Sequence, residues 1–283
     1  MKTIRRTALL GVLAIGLVGS VSLLAVQDGA AVARPALTPA QMEDFLLNAP
    51  ISNLRGISKG VTNSKRATLS DGRITHDAHI QTVDISKTVF QPDRGPTELN
   101  FKDTYRYNIA GYRLAVLLGL DNVPMSVERR VEGTPAAVTW WVDDVLMDEG
   151  QRRKKEPAGG LSSRRAGQIH IMRVVDALIA NTDRNAGNLL WTTDGEMWLI
   201  DHTRAFRLDE KLKNPKLLER CERGLFETMR GLTAETLTRE MGKSLNKFEI
   251  EALLARRDEI VKLFEGMMAK RGEGAILYTQ ARR

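Results

Sequence analysis

The feature that most constrains this chain is a short polar stretch followed by two apolar runs. Residues 181–188 read Asn-Thr-Asp-Arg-Asn-Ala-Gly-Asn and follow an apolar segment, 167–180, that is predicted to be helical. Asp183 and Asn188 are five positions apart, and Asp201 lies thirteen positions beyond Asn188, where an apolar run ends. A hairpin would bring Asp183 and Asn188, at its base, close to Asp201 on the returning strand. We therefore expect these three side chains to converge on one point.

Side chains of this kind suit chemistry at a divalent cation. Mg²⁺ is a hard cation that takes oxygen ligands, and a carboxylate can orient a hydroxyl group and accept its proton. We predict that Asp183 is the catalytic carboxylate and that Asn188 and Asp201 are the metal ligands, as in kinase-type phosphoryl transfer. The alternative is a polar turn without chemistry, because Asn, Asp and Gly favour turns in any protein.

The same stretch resembles the catalytic segment of the atypical kinases: HipA-type kinases, secretory-pathway kinases, and phosphatidylinositol 3- and 4-kinases. Their loops read roughly N-x-D-R-x-x-x-N, followed by a hydrophobic-Asp pair. The matching residues here are Asn181, Asp183, Arg184, Asn188 and Asp201. The resemblance implies an α+β, bilobal protein-kinase-like fold with a strand-rich N-lobe and a helical C-lobe. It also implies ATP and Mg²⁺, or Mn²⁺, as cofactors.

The residues after Asp201 extend this resemblance. Asp201, His202 and Phe206 fit the Asp-His-x-x-x-Phe pattern of the phosphatidylinositol-kinase-like bacterial proteins. His202 stands where typical kinases have an aromatic residue. We expect it to pack beside the site rather than to act as a base.

The N-terminal half is predicted to hold the nucleotide on a hairpin. Residues 61–69 and 75–84 read as two strands joined by a turn at Ser70-Asp71-Gly72. The glycine and hydroxyl residues near the first strand could cradle phosphates through backbone N–H groups, although a plain hairpin explains them equally well. The candidate nucleotide-binding residues at this strand are Gly60, Thr62 and Lys65.

The second strand departs from the family pattern. The resemblance places a lysine at the end of a short apolar stretch there, where it binds the α- and β-phosphates. Residues 78–81 (Ala-His-Ile-Gln) put the uncharged Gln81 at that position. Lys87 shares its strand parity but lies six residues on, about 20 Å along an extended strand. Lys65, on the facing strand, is the other candidate replacement.

The helix predicted over 104–120 departs from the pattern as well. The family carries a glutamate there that pairs with the strand lysine, followed by an alanine. The register places Asn108 at the glutamate and Gly111 at the alanine, with Asp103 just over one turn before Asn108. Both members of the usual ion pair are therefore altered together. This is either a compensated variation or the mark of a pseudokinase.

The N-terminus predicts a leader. Basic residues at positions 2, 5 and 6 precede an uncharged run over 7–26, and Ala31-Val32-Ala33 resembles a cleavage site. The run suits an export signal or an uncleaved membrane anchor. Because positive charge stays in the cytoplasm, the rest of the chain is expected outside: periplasmic, extracellular or anchored to the inner membrane.

Length and charge set further bounds. The chain has 283 residues and a net charge of +7, which suits an anionic substrate such as a nucleotide, and no nucleic-acid partner is expected. Cys221 is the only cysteine, so no intramolecular disulfide can form. We predict a leader over 1–33, an N-lobe over 34–142 and a C-lobe over 143–283.

These features favour a Mg²⁺-dependent phosphotransferase that uses a nucleoside triphosphate. The acceptor stays open: a protein hydroxyl, a small molecule or a lipid. One alternative is a pseudokinase that kept the fold for binding or scaffolding, which Gln81 and Asn108 favour and which the leader also favours, since a bacterial exterior holds little ATP. The other alternative is a nucleotidyl transferase on the same scaffold.

Overall fold

The structure, a computed structural model, is strand-rich in its first half and helical in its second. The residues that it describes are 37–57, 64–93, 95–155 and 162–280. The strands are β1 (Ile51–Gly56), β2 (Lys65–Ser70), β3 (Thr75–Gln81), β4 (Asp84–Phe90), β5 (Glu98–Thr104), β6 (Ser126–Val131), β7 (Thr134–Trp140), β8 (Val145–Asp148), β9 (Leu189–Thr192), β10 (Met197–Leu199), β11 (Cys221–Glu222) and β12 (Leu277–Tyr278). The helices are α1 (Pro39–Asn48), α2 (Arg106–Leu117), α3 (Glu149–Lys155), α4 (Ser163–Leu178), α5 (Arg223–Arg230), α6 (Ala234–Met241), α7 (Lys247–Arg271) and α8 (Glu273–Ile276).

Some predictions fall outside these residues. The leader with its apolar run over 7–26, and the candidate phosphate-binding residues Gly60 and Thr62, belong to the part of the chain that is not described. Within the described ranges, no helix is both long and apolar enough to cross a membrane. The leader therefore stays a prediction.

A five-stranded antiparallel sheet forms the first half, in the order β1-β2-β3-β7-β6. Alternate residues of a strand face the same side, so Leu69, Ile80 and Val138 meet on one face and are fully buried. Helix α1 covers that face with Phe45 and Leu46. The opposite face of β3, which carries His79 and Gln81, lies away from this helix.

The predicted strand over 75–84 is too long: it stops at Gln81, and Asp84 already begins β4, in a different sheet. β3 ends at Gln81, and β4 pairs with β5 in a separate antiparallel hairpin, with Lys87 opposite Phe101. Strand β5 also takes up the start of the predicted helix, so that α2 begins at Arg106 rather than at position 104. The sequence shows no turn signal at the break between β3 and β4.

The second half surrounds a hydrophobic core with helices. Residues of α2, α4, α5, α6 and α7 meet there, and Phe206, Leu253 and Phe264 are fully buried among them. The long C-terminal helix α7 begins after Asn246, which caps it in a reciprocal hydrogen-bond pair with Glu249. The short sheet β10-β9-β8 lies at the end of this core.

The basic segment over 151–165 is partly helical in its described residues. Helix α3 starts at Glu149 and α4 starts at Ser163. Glu149 is buried and accepts hydrogen bonds from Arg152 at 2.7 and 2.9 Å and from Trp191 Nε1 at 2.8 Å. Burial alone would raise the pKa of this carboxyl, but its bonds with Arg152, Trp191 and Arg153 lower the pKa to about 2. One carboxylate thus ties α3 to β9.

Glu149→Gln should remove an acid-sensitive part of the stability. The folded-state pKa lies below the ordinary value of 4.5, so the carboxylate stabilises the fold above about pH 5 and loses this contribution between about pH 4.5 and 2. The difference in unfolding free energy between wild type and variant should shrink by about 3 kcal/mol across that range. Urea titrations at several pH values measure it. Exposed Glu219→Gln is the control, and a pH-independent difference for Glu149→Gln would contradict the expectation.

Candidate active site

Strand pairing brings Asn188 and Asp201 together. β9 and β10 pair with Leu189 opposite Leu199, so the residues that flank the hairpin become neighbours. Ile200 N–H donates to the Asn188 carbonyl at 3.1 Å. The Asn188 side chain lies with Nδ2 3.4 Å from Asp201 Oδ2. Two residues thirteen positions apart therefore present their side chains at one point.

A buried ion pair fixes the loop before this hairpin. Arg184 donates to both carboxylate oxygens of Asp176, on α4, at 2.9 to 3.2 Å. Its Nη1 donates to the carbonyl of Ile200 at 2.5 Å, directly before Asp201. Asn181 Nδ2 donates to the same Asp176 at 3.1 Å. Arg184 therefore has a structural role: it holds the loop to α4 and to the residue before Asp201.

The backbone of Asp201 aims its carboxylate. Its φ is +57°, a left-handed conformation that few non-glycine residues adopt and that Asp tolerates better than most. Its Oδ1 accepts hydrogen bonds from the hydroxyl of Thr203 at 3.1 Å and from the backbone N–H of Thr203 at 3.5 Å. These bonds leave Oδ2 directed at Asn188, and the residue is exposed.

Asp183 is also accessible, with a side chain that is 53% exposed. Its Oδ2 lies 3.1 Å from Nη1 of Arg204, which follows Asp201 by three residues. Nη2 of Arg204 lies 3.0 Å from Glu98 Oε1, on β5. The Arg204 guanidinium therefore links the loop of Asp183 to the segment that carries Asp201.

Asp103 is a further carboxylate in this region. The sequence motifs assign no role to it. It lies at the end of β5 and is 9% exposed. Burial raises its pKa, the charges of Asp201 and Asp183 raise it further, and the Thr203 hydroxyl and Arg204 oppose them. The three aspartates therefore share one electrostatic neighbourhood. No motif marks Asp103; its position one turn before Asn108 was the only signal.

The Asn188 and Asp201 donors fit a hard divalent cation. In this structure the Asn188 amide nitrogen donates to Asp201 Oδ2 at 3.4 Å, and a half-turn of the amide would place its oxygen beside the carboxylate instead. Octahedral Mg²⁺ takes adjacent oxygen ligands about 3 Å apart. No group of three His, Cys, Asp or Glu side chains suited to a metal occurs in the described part of the chain. Mg²⁺ is often held by one or two carboxylates together with substrate phosphates. The site thus suits a cation that arrives with a nucleotide.

The position assigned to the strand lysine lies on the polar face of β3. His79 and Gln81 share a face of the strand, opposite to the core residues. Burial lowers the pKa of His79, and the charge of Asp201 acts against that shift. Gln81 is buried and its Nε2 donates to Ser64 Oγ at 3.2 Å. The position that the resemblance assigns to the lysine is therefore filled by a buried, uncharged side chain.

The two candidate replacement lysines have other partners. Lys65 Nζ lies 2.8 Å from Glu132 Oε2, in the turn between β6 and β7. Lys87 Nζ stands over the ring of Phe90, 5.1 Å from its centre, in the β4–β5 hairpin. Both ammonium groups therefore contact residues other than Asn188 and Asp201.

Asn108 and Gly111 are explained by His202. Asn108 Oδ1 accepts a hydrogen bond from His202 N–H at 2.8 Å, so it holds the segment after Asp201. A Cβ on Gly111 would lie 3.1 Å from His202 Cγ, so alanine would fit only if the ring moved by a few tenths of an ångström. Burial, aided by the charge of Arg184, keeps the pKa of His202 well below its ordinary value. His202 is a neutral packing residue, as the sequence predicts.

Comparison with known proteins identifies the fold. No family model matches the chain, and no curated protein matches it by sequence. The structure of hydra Fam20 with sugar superposes with a TM-score of 0.64 at 12% identity, over 86% of this chain and 93% of that one. The Golgi casein kinase gives 0.58 at 14% identity, over 87% and 80%. The fold is therefore kinase-like, with mixed α and β content and an antiparallel sheet in its N-terminal part.

Gly111→Ala should destabilise the protein because the added methyl group meets the buried His202 ring. Overpacking of this kind costs about 1–3 kcal/mol. Gly266→Ala, in the exposed middle of α7, has open space at Cβ and should instead stabilise by about 0.5–1 kcal/mol. Denaturant titrations compare the two. A Gly111→Ala protein as stable as Gly266→Ala would refute this explanation of the glycine.

Proposed function

We propose that this protein is a divalent-cation-dependent phosphotransferase that moves the γ-phosphoryl group of ATP to a hydroxyl acceptor. The observation that carries the proposal is the meeting of the Asn188 amide and the Asp201 carboxylate at 3.4 Å, in a kinase-like fold, in the electrostatic neighbourhood of the accessible Asp183. An amide and a carboxylate at one point, with an accessible carboxylate nearby, are the parts that kinase-type transfer needs.

Each residue has a distinct task. Asn188 and Asp201 would hold Mg²⁺ or Mn²⁺, which neutralises phosphate charge when it is bound. Asp183 orients the acceptor hydroxyl and takes its proton. As the new bond from the acceptor oxygen to the γ-phosphorus forms, the bond to the β–γ bridging oxygen breaks, and the nucleoside diphosphate leaves with that electron pair. The rest of the rate enhancement comes from positioning and charge stabilisation.

A pseudokinase that binds without transfer is the second candidate. Two observations favour it. Gln81 supplies no charge at the position of the strand lysine. Asn108, at the register of the glutamate, is engaged with the backbone of His202 rather than with a cation. The two candidates differ in whether phosphate moves, and not in whether a nucleotide binds.

Asp201→Ala should abolish the cation-dependent part of nucleotide binding, because it removes the carboxylate opposite Asn188. Thermal unfolding of the full chain with ATP, with and without Mg²⁺ or Mn²⁺, measures this. Saturation at a hundred times Kd stabilises wild type by about 2.7 kcal/mol, which raises Tm by about 5–10 °C for a domain of this size. Exposed Asp258→Ala should keep the shift. An Asp201→Ala shift equal to wild type would refute the metal role, and no shift in wild type would refute the proposed activity.

Asp183→Asn should keep the nucleotide-induced shift in Tm and lose turnover by about 10²–10⁴-fold, because an amide cannot accept the hydroxyl proton. Mass spectrometry of the protein and of the nucleotide products measures phosphate addition and ADP release. Thr182→Ala, at the exposed neighbouring position, is the control. Equal turnover in Asp183→Asn and wild type would remove Asp183 from the reaction. Nucleotide binding without turnover in wild type would favour the pseudokinase.

A further inference from the structure

We propose that Arg204 is the cation that meets the transferred phosphoryl group, in a site where position 81 lacks the strand lysine. This inference rests on the proposed phosphotransfer and assigns a residue to it. The oxygens of a phosphoryl group in transfer carry negative charge, and an arginine in the same chain can stabilise that charge. Because Gln81 is uncharged, positive charge for the phosphates has to come from another residue of the site.

Arg204 is the cation that the described structure places against Asp183. Its Nη1 lies 3.1 Å from Asp183 Oδ2, and its Nη2 lies 3.0 Å from Glu98 Oε1. The guanidinium carbon stands 4.9 Å from the ring centre of Phe101, which supports its flat face. Arg204 also lowers the pKa of Asp103, whose carboxyl feels Asp201 and Asp183 as well. The positive charge therefore lies against the predicted base, Asp183, and three positions along the chain from the predicted metal ligand, Asp201.

The surroundings of Arg204 let one arm of its fork change partners. Glu98 is held independently, because its Oε2 lies 2.7 Å from Nη1 of Arg207. Glu98 and Phe101 can thus keep the side chain in place while Nη1 exchanges Asp183 for a phosphate oxygen. Arg204 is 24% exposed and Asp183 is 53% exposed, so a ligand can reach the contact between them. The exchange also frees Asp183 Oδ2 for the acceptor hydroxyl.

This role gives Arg204 a signature that a purely structural role lacks. ATP and ADP differ by the γ-phosphate, so a residue that contacts this group discriminates between them. A hydrogen bond to a charged group contributes about 1.5–3 kcal/mol, equivalent to about ten- to a hundred-fold in affinity. Arg204→Gln should lower the affinity for ATP by that factor and leave the affinity for ADP nearly unchanged. Arg204→Lys keeps the charge and should recover part of the preference.

Calorimetric titration of the full chain with ATP and with ADP, in the presence of Mn²⁺, tests this. The ratio of the two affinities within one preparation does not depend on the folded fraction, so partly unfolded variants stay informative. Arg207→Gln is the matched control: it removes the neighbouring guanidinium from Glu98 but not the contact to Asp183, and it should keep the wild-type ratio.

The outcomes separate this inference from the proposed function. Wild type that binds neither nucleotide overturns the phosphotransfer proposal and the role of Arg204 with it. Wild type that prefers ATP, with an unchanged preference in Arg204→Gln, overturns the role of Arg204 alone. An equal loss of preference in Arg204→Gln and Arg207→Gln assigns the effect to Glu98 and also overturns it.

Discussion

Arg184 and Asp176 form a buried, doubly hydrogen-bonded ion pair between the loop over 181–188 and helix α4. Removing two charges from water is costly, and it is offset only where geometry is good and every donor finds an acceptor. Arg184 meets this condition by also donating to Ile200 and Asn188 carbonyls. The pair therefore sets the positions of helix, loop and strand end together. The placement of Asn188 beside Asp201 depends on it.

The parts that the sequence predicts well are those that local chemistry determines. Asn246 and Glu249 carry the signal of a helix start within four residues, and the structure has that cap. The β9–β10 hairpin follows from two apolar runs around a turn, so the proximity of Asn188 and Asp201 was readable. The prediction of a kinase-like fold depends on a motif whose residues have fixed spacing. In each case the interacting residues are close together in the chain.

The parts that the sequence missed depend on contacts between distant segments. Asp103 joins the site only because β5 forms a separate hairpin with β4, and nothing in the pattern of 75–104 marks that division. Arg204 lies within the motif region, but its partners Asp183 and Glu98 come from other elements. A charged side chain has no partner preference that sequence spacing alone can reveal. Tertiary packing had to supply it.

The close approach of Gly111 to His202 has an evolutionary consequence. A methyl group at 111 and an imidazole at 202 compete for the same volume, because the ring is buried and the space is a few tenths of an ångström short. Among relatives of this chain, the two positions are free to vary only as a couple. Those with alanine in the helix should carry a differently shaped residue after the aspartate at position 201, so an alignment would show covariation between positions that lie 91 residues apart.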